Sequence, residues 1–94
     1  MASTKSYCDF VLEQLSDLKT IGCRSMMGEY LLYYRGVLFG GIYDDRLLVK
    51  QTVGNGKFNL PAVVPYPHAK PMYYISDIED RVRLYEIVSA TVGN

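Results

Sequence analysis

Apolar and polar positions follow two different rhythms along this chain, and the change of rhythm divides it. In the first stretch Tyr7, Cys8, Val11, Leu12, Leu15 and Leu18 recur at helical spacing, with Asp9, Glu13, Gln14, Ser16 and Asp17 mainly opposite. The spacing predicts a helix over 3–18, opened by a Ser3 or Thr4 hydroxyl that caps its free amides. One face is apolar, which suits a helix laid on a sheet.

The stretch 24–50, RSMMGEYLLYYRGVLFGGIYDDRLLVK, reads instead as short strands between turn signals. Residues 20–22 end the helix and lead into a strand over 23–27. Gly28-Glu29 forms a turn, 30–35 a second strand, Gly36 a break, 37–43 a third strand, Asp44-Asp45 a reversal and 46–51 a fourth strand. Connections this short imply antiparallel pairing, because parallel neighbours need a crossover of a dozen or more residues. Gly40-Gly41 inside an apolar strand marks a bulge or the close approach of a helix.

Between 52 and 71 the composition shifts to Gly54, Asn55, Gly56, Pro61, Pro65, Pro67 and Pro71, an irregular connector with extended proline segments. Residues 72–75 read as a fifth strand. Ser76-Asp77-Ile78-Glu79 then has the form of a capping box, so the last helix is expected to start there and to stop at Gly93. Ile78, Val82, Leu84, Tyr85, Ile87 and Val88 form its buried side, against Glu79, Asp80, Arg83 and Glu86. The expected fold is α+β, a two-layer domain in which an antiparallel sheet of about five strands carries N- and C-terminal helices in the order α-β-β-β-β-loop-β-α.

The strands do not alternate apolar with polar residues as a half-solvated sheet does. On the second strand Tyr30, Leu32 and Tyr34 point one way and Leu31 and Tyr33 the other; on the third, Val37, Phe39 and Tyr43 oppose Leu38 and Ile42. Two helices cover one face of a five-strand sheet and leave the other apolar and open. A homodimer through the uncovered face is expected, the alternative being a connector folded over it.

With 94 residues, 49% of them hydrophobic, the chain has material for one core and one domain over 1–94. Ten Lys plus Arg balance ten Asp plus Glu, so no basic stripe supports strong autonomous DNA binding. No apolar run approaches the ~18 residues of a membrane span and no signal-like h-region is present, which points to a soluble, cytoplasmic protein without membrane contact. Cys8 and Cys23 are too few for a disulfide framework and lack zinc spacing. Both read as reduced, separate packing positions, Cys8 as a small hydrophobe on the helix stripe and Cys23 on a strand. No catalytic constellation, cofactor motif or metal cluster is legible. An enzyme would have to draw on Cys23 or His68 with Asp44 and Asp45. A small-ligand binder would place its pocket under the connector, lined by Phe58, Tyr66, Tyr73 and Tyr74.

The central stretch also carries a family likeness. Arg24-Ser25-Met26-Met27-Gly28-Glu29-Tyr30, Tyr33-Tyr34-Arg35-Gly36-Val37 and Gly41-Ile42-Tyr43-Asp44-Asp45-Arg46-Leu47-Leu48-Val49-Lys50, with Lys70-Pro71-Met72 and the final helix, resemble the N-terminal domain of the TfoX/Sxy family. Many members carry Phe where this chain has Met27. The resemblance implies a non-enzymatic regulatory or adaptor domain, related to regulators of bacterial natural competence that assist transcription together with a cyclic-AMP-responsive activator. Full-length regulators continue into a C-terminal helical domain, so a stand-alone domain is expected, with a protein partner in the transcription machinery or an activator. The contact surface it implies comprises Arg24, Met26, Gly28, Tyr30, Tyr33, Tyr34, Asp44, Arg46 and Lys50. The charges among these, with Glu29, are read first as strand-end and turn residues that keep a sheet soluble.

Overall fold

The structure, a computed structural model, describes residues 3–93. Helix α1 spans Lys5–Gln14, followed by strands β1 (Ile21–Met26), β2 (Glu29–Tyr34), β3 (Val37–Ile42) and β4 (Leu47–Val49). A 3-10 helix, Val53–Phe58, precedes β5 (Ala62–Val63), β6 (Met72–Ile75) and helix α2 (Arg81–Val92). The α+β reading holds. Among the described residues the sheet has six strands rather than five, in the order β1-β2-β3-β4-β6-β5, and every pairing is antiparallel. The added strand comes from the connector: Ala62 and Val63 pair with Tyr73 and Met72 at the sheet edge, between prolines that keep the segment extended.

Three two-residue turns join β1 to β4, and all six central residues lie in the left-handed region: Met27-Gly28 at φ 52° and 86°, Arg35-Gly36 at 54° and 77°, Asp44-Asp45 at 54° and 55°. Positive φ at both positions is the geometry that matches the twist of flanking strands in a hairpin. The first turn is therefore Met27-Gly28 and not Gly28-Glu29, and Glu29 already belongs to β2.

Two helix boundaries and one helix face differ from the periodic pattern. Helix α1 stops at Gln14 because the Ser16 and Leu18 amides bond only three residues back, to Glu13 O at 3.2 Å and Leu15 O at 3.0 Å, a tightened turn in place of a further helical one. Helix α2 is capped by Asp80, whose Oδ1 accepts from the Arg83 amide at 3.2 Å, and not by Ser76. Residues 76–80 are held out of the helix where Gln14 Nε2 donates to Ile78 O at 2.9 Å. The buried side of α2 is Leu84, Ile87, Val88 and Thr91, an i, i+3, i+4, i+7 stripe that leaves Val82 exposed.

Both helices pack on the same sheet face. Cys8 and Val11 of α1, Leu15 just beyond it, and Leu84, Ile87 and Val88 of α2 meet Leu32, Phe39, Ile42, Leu47, Val49 and Ile75 in one core. The β2–β3 register shifts between Leu32 and Tyr33, which pair with Gly40 and Leu38, so Phe39 is the extra residue of a bulge and turns its ring into the core. At Gly40 it is β4 that approaches, not a helix. A Cβ there would lie 2.1 Å from Leu48 O.

Asn55 fixes the start of the connector. Fully buried, it donates to Lys50 O at 2.7 Å and to Thr91 Oγ1 at 2.8 Å and accepts from the Thr52 amide at 3.0 Å, which ties the 3-10 helix to α2. Three satisfied bonds make a buried amide tolerable there.

Candidate functional site

The nine residues of the signature stretch fall into separate environments. Tyr30 and Tyr34 pack against the core beneath the helices. Arg24, Met26 and Tyr33 alternate with the core-facing positions of β1 and β2, which places them on the opposite face. Gly28, Asp44 and Arg46 sit at turns, and Lys50 lies just beyond β4.

The turn residues build a latch. Ser3 Oγ donates to Glu29 Oε1 at 2.7 Å and accepts from the Asp45 amide at 3.1 Å, while the Ser3 amide donates to Gly28 O at 2.9 Å. Glu29 Oε1 also accepts from the Asp44 amide at 3.2 Å, and Asp45 Oδ1 accepts from the Thr4 amide at 2.8 Å. Tyr43 and Arg46 exchange both backbone bonds across this turn, and Arg46 Nε donates to Tyr43 O at 3.2 Å. The segment before α1 is thereby fastened to the β1–β2 and β3–β4 turns together. Gly28, Glu29, Asp44, Asp45 and Arg46 thus have a structural occupation, and sequence spacing alone does not reveal Ser3 as its centre.

The sheet face away from the helices is partly covered. Leu48 is fully buried although it alternates with the core residues Leu47 and Val49, so its cover comes from the other side. The connector supplies cover on that side: the Tyr66 ring lies 6.2 Å from Tyr43, and burial there pushes the Tyr43 phenol above its ordinary value, with Tyr66 and then Glu29 adding. A cleft of about 600 Å³ remains between connector and sheet, lined by Leu38, Tyr43, Pro65, Tyr66 and Met72 with Lys50 and Lys70. Of the expected pocket residues Tyr66 lines this cleft, whereas Phe58 and Tyr73 pack against the core on the other face. Toward β1 and β2, Leu31 and Tyr33 are half-buried and Met26 keeps 49% of its surface exposed.

The groups weighed for nucleophilic chemistry go to different partners. Asp44 and Asp45 belong to the latch, and His68 lies exposed in the connector. Cys23 meets Cys8, their sulfurs 3.6 Å apart. Those two thiols are not separate packing positions, because α1 crosses the sheet where β1 forms its edge. No helix among the described residues is long and apolar enough to cross a membrane.

Residues 13–84 match the profile of the TfoX N-terminal domain. The chain is also similar to an uncharacterized 12.7 kDa protein in the trpE 5′ region of Spirochaeta aurantia, at 34% identity over 99% of this chain and 84% of that protein. The matched span runs from the end of α1 into α2 and includes both the latch turns and the connector.

Proposed function

We propose, from the premise that this chain belongs to the TfoX N-terminal domain family, that it is a non-enzymatic regulatory domain acting in the cytoplasm through protein contacts in transcriptional regulation. The observation that carries the reading is the sheet face opposite the helices. The connector covers its β4 end, while Met26, Leu31 and Tyr33 leave an apolar and aromatic surface at the β1–β2 end. Tyrosine suits such a surface because it offers apolar area with a polar tip. The balanced charge favours contact with protein over direct binding of duplex DNA.

Affinity capture from the native host tests this, with wild type compared against Tyr33→Asp. Recovery of a transcription activator or RNA polymerase subunits by wild type, and their loss in a variant that keeps its circular dichroism spectrum, is expected. Recovery of neither by the folded wild type overturns the reading.

A second reading is favoured by the cleft under the connector. Aromatic and apolar walls beside two lysines suit a small anion with an apolar body, such as an aromatic carboxylate. Chemical-shift titration with a panel of aromatic carboxylates tests it. Shifts confined to Tyr43, Tyr66 and Lys70 support the cleft, and no saturable shift at millimolar concentration rejects it.

A further inference from the structure

Cys8 and Cys23 are joined by the fold in a way that has chemical consequences. The two sulfurs, from α1 and from strand β1 at the sheet edge, stand 3.6 Å apart, and both thiols are free. A disulfide bond of about 2.05 Å requires roughly 1.5 Å of further approach between sulfurs that are already in contact. The two thiols are unequal in access. Cys8 is 3% exposed among Val11 and Leu15, whereas Cys23 is open to solvent on β1, the end strand of the sheet among the described residues.

We propose that Cys23 and Cys8 form a redox modification site, in which Cys23 is attacked by low-molecular-weight disulfides and Cys8 resolves the adduct into an intramolecular disulfide between α1 and β1. In the first step Cys23 releases its proton to solvent and its thiolate attacks one sulfur of the small disulfide RSSR. The S–S bond of RSSR breaks, a Cys23–S–S–R bond forms, and RS⁻ leaves and takes up a proton. In the second step Cys8 releases its proton and attacks Cys23 Sγ. The Cys8–Cys23 bond forms, and the second RS⁻ leaves and is protonated. The protein is oxidised by the loss of two hydrogens, and the small disulfide is reduced to two thiols.

The order of the steps follows from burial. Burial pushes the Cys8 thiol up to about 12, with the hydrogen bond to Cys23 and the charge of its thiolate adding to the rise. Cys8 therefore stays protonated and shielded while Cys23 is free. Once Cys23 is bound in the adduct, its thiol hydrogen bond and thiolate charge are gone, and part of what holds the Cys8 proton goes with them. An exposed thiol beside a shielded resolving thiol is the arrangement used by redox-sensing cysteines.

The test is incubation of the full chain with oxidised glutathione, acid quenching, intact-mass measurement and peptide mapping. Wild type is expected to lose two hydrogens, to give a linked Cys8–Cys23 peptide without a lasting glutathione adduct, and to melt at a higher temperature once oxidised. Cys8→Ser is expected to hold one glutathione on Cys23, with Cys8→Ala as a second variant should the buried hydroxyl disturb the fold. Cys23→Ser is expected to resist modification until denatured. A stable Cys23 adduct in wild type overturns the proposal, as do disulfides formed only between chains. So does modification of Cys8 in native Cys23→Ser at the rate seen for Cys23 in wild type.

Discussion

Ser3 donates its hydroxyl to Glu29 at 2.7 Å across 26 positions of sequence, and through this bond the segment that opens α1 is tied to the first residue of β2. Ser3 is buried and its oxygen also accepts the Asp45 amide, so its loss removes that amide's acceptor and leaves Glu29 Oε1 with the Asp44 amide alone. Ser3→Ala is expected to cost about 1–2 kcal/mol in urea unfolding. In a double-mutant cycle with Glu29→Ala the coupling is expected to exceed about 0.5 kcal/mol. Strict additivity of the two changes would contradict the latch.

Met27 holds a left-handed conformation at φ 52° and is 96% exposed. An apolar residue in that region gains nothing locally to offset its steric cost, whereas asparagine before glycine is the favoured pair for this turn. Met27→Asn is expected to stabilise the domain by roughly 0.5–1 kcal/mol, read as a higher urea midpoint at unchanged slope. A lower midpoint would show that the turn does not have this backbone geometry.

Gly40 and Gly56 give opposite expectations for the same substitution. A Cβ at Gly40 meets the Leu48 carbonyl and Val49 Cα, backbone atoms of β4 that cannot move without breaking the ladder, whereas no atom of the described residues lies within 4 Å of one at Gly56. Gly40→Ala is expected to destabilise by at least about 2 kcal/mol. Gly56→Ala is expected to be neutral or to stabilise by up to about 1 kcal/mol, through the unfolded chain. Thermal melts of the two variants side by side decide the matter.

In the absence of a transcriptional protein partner, the uncovered β1–β2 end of the sheet is proposed to pair with a second copy of the chain. Light scattering at micromolar concentration is expected to give twice the monomer mass for wild type and the monomer mass for Tyr33→Asp. Tyr34 is no substitute probe, since it packs on the helix side and its replacement tests the core instead. A wild type that stays monomeric at these concentrations removes the dimer and leaves the surface to other partners.

How much of this was legible in the sequence depended on how local the deciding contact is. The alternation of Tyr30, Leu32 and Tyr34 with Leu31 and Tyr33 describes both faces of β2, whereas on β3 the bulge at Phe39 brings Phe39 and Ile42, expected on opposite faces, into the same core and leaves Tyr43 with Leu38 on the other side. The capping box at Ser76 failed because a distant side chain, Gln14, engages the Ile78 carbonyl just before the helix. Strand β5 is not legible in the sequence because Ala62 and Val63, set among prolines, carry no strand signal of their own and pair only once β6 is in place. The Cys8–Cys23 contact depends on where α1 crosses the sheet, and the latch depends on a serine that reads from sequence only as a helix cap.

The position of β6 between β4 and β5 bears on the order in which the chain assembles and the ease with which it opens. Strands β1 to β4 are joined by two-residue turns, so each pairing closes a short loop, whereas β6 reaches β4 only after residues 50–71 have been looped out. Pairings that close a longer loop form later, and a two-residue edge strand such as β5 opens more readily than the ladder beneath the helices. In native-state hydrogen exchange the Tyr74 amide, bonded to Pro61 O at 2.8 Å, is expected to exchange at least tenfold faster than amides of the β2–β3 ladder. The cleft that lies beneath the connector would then be reached by a local breathing of one sheet edge, with the hairpin half of the domain still closed.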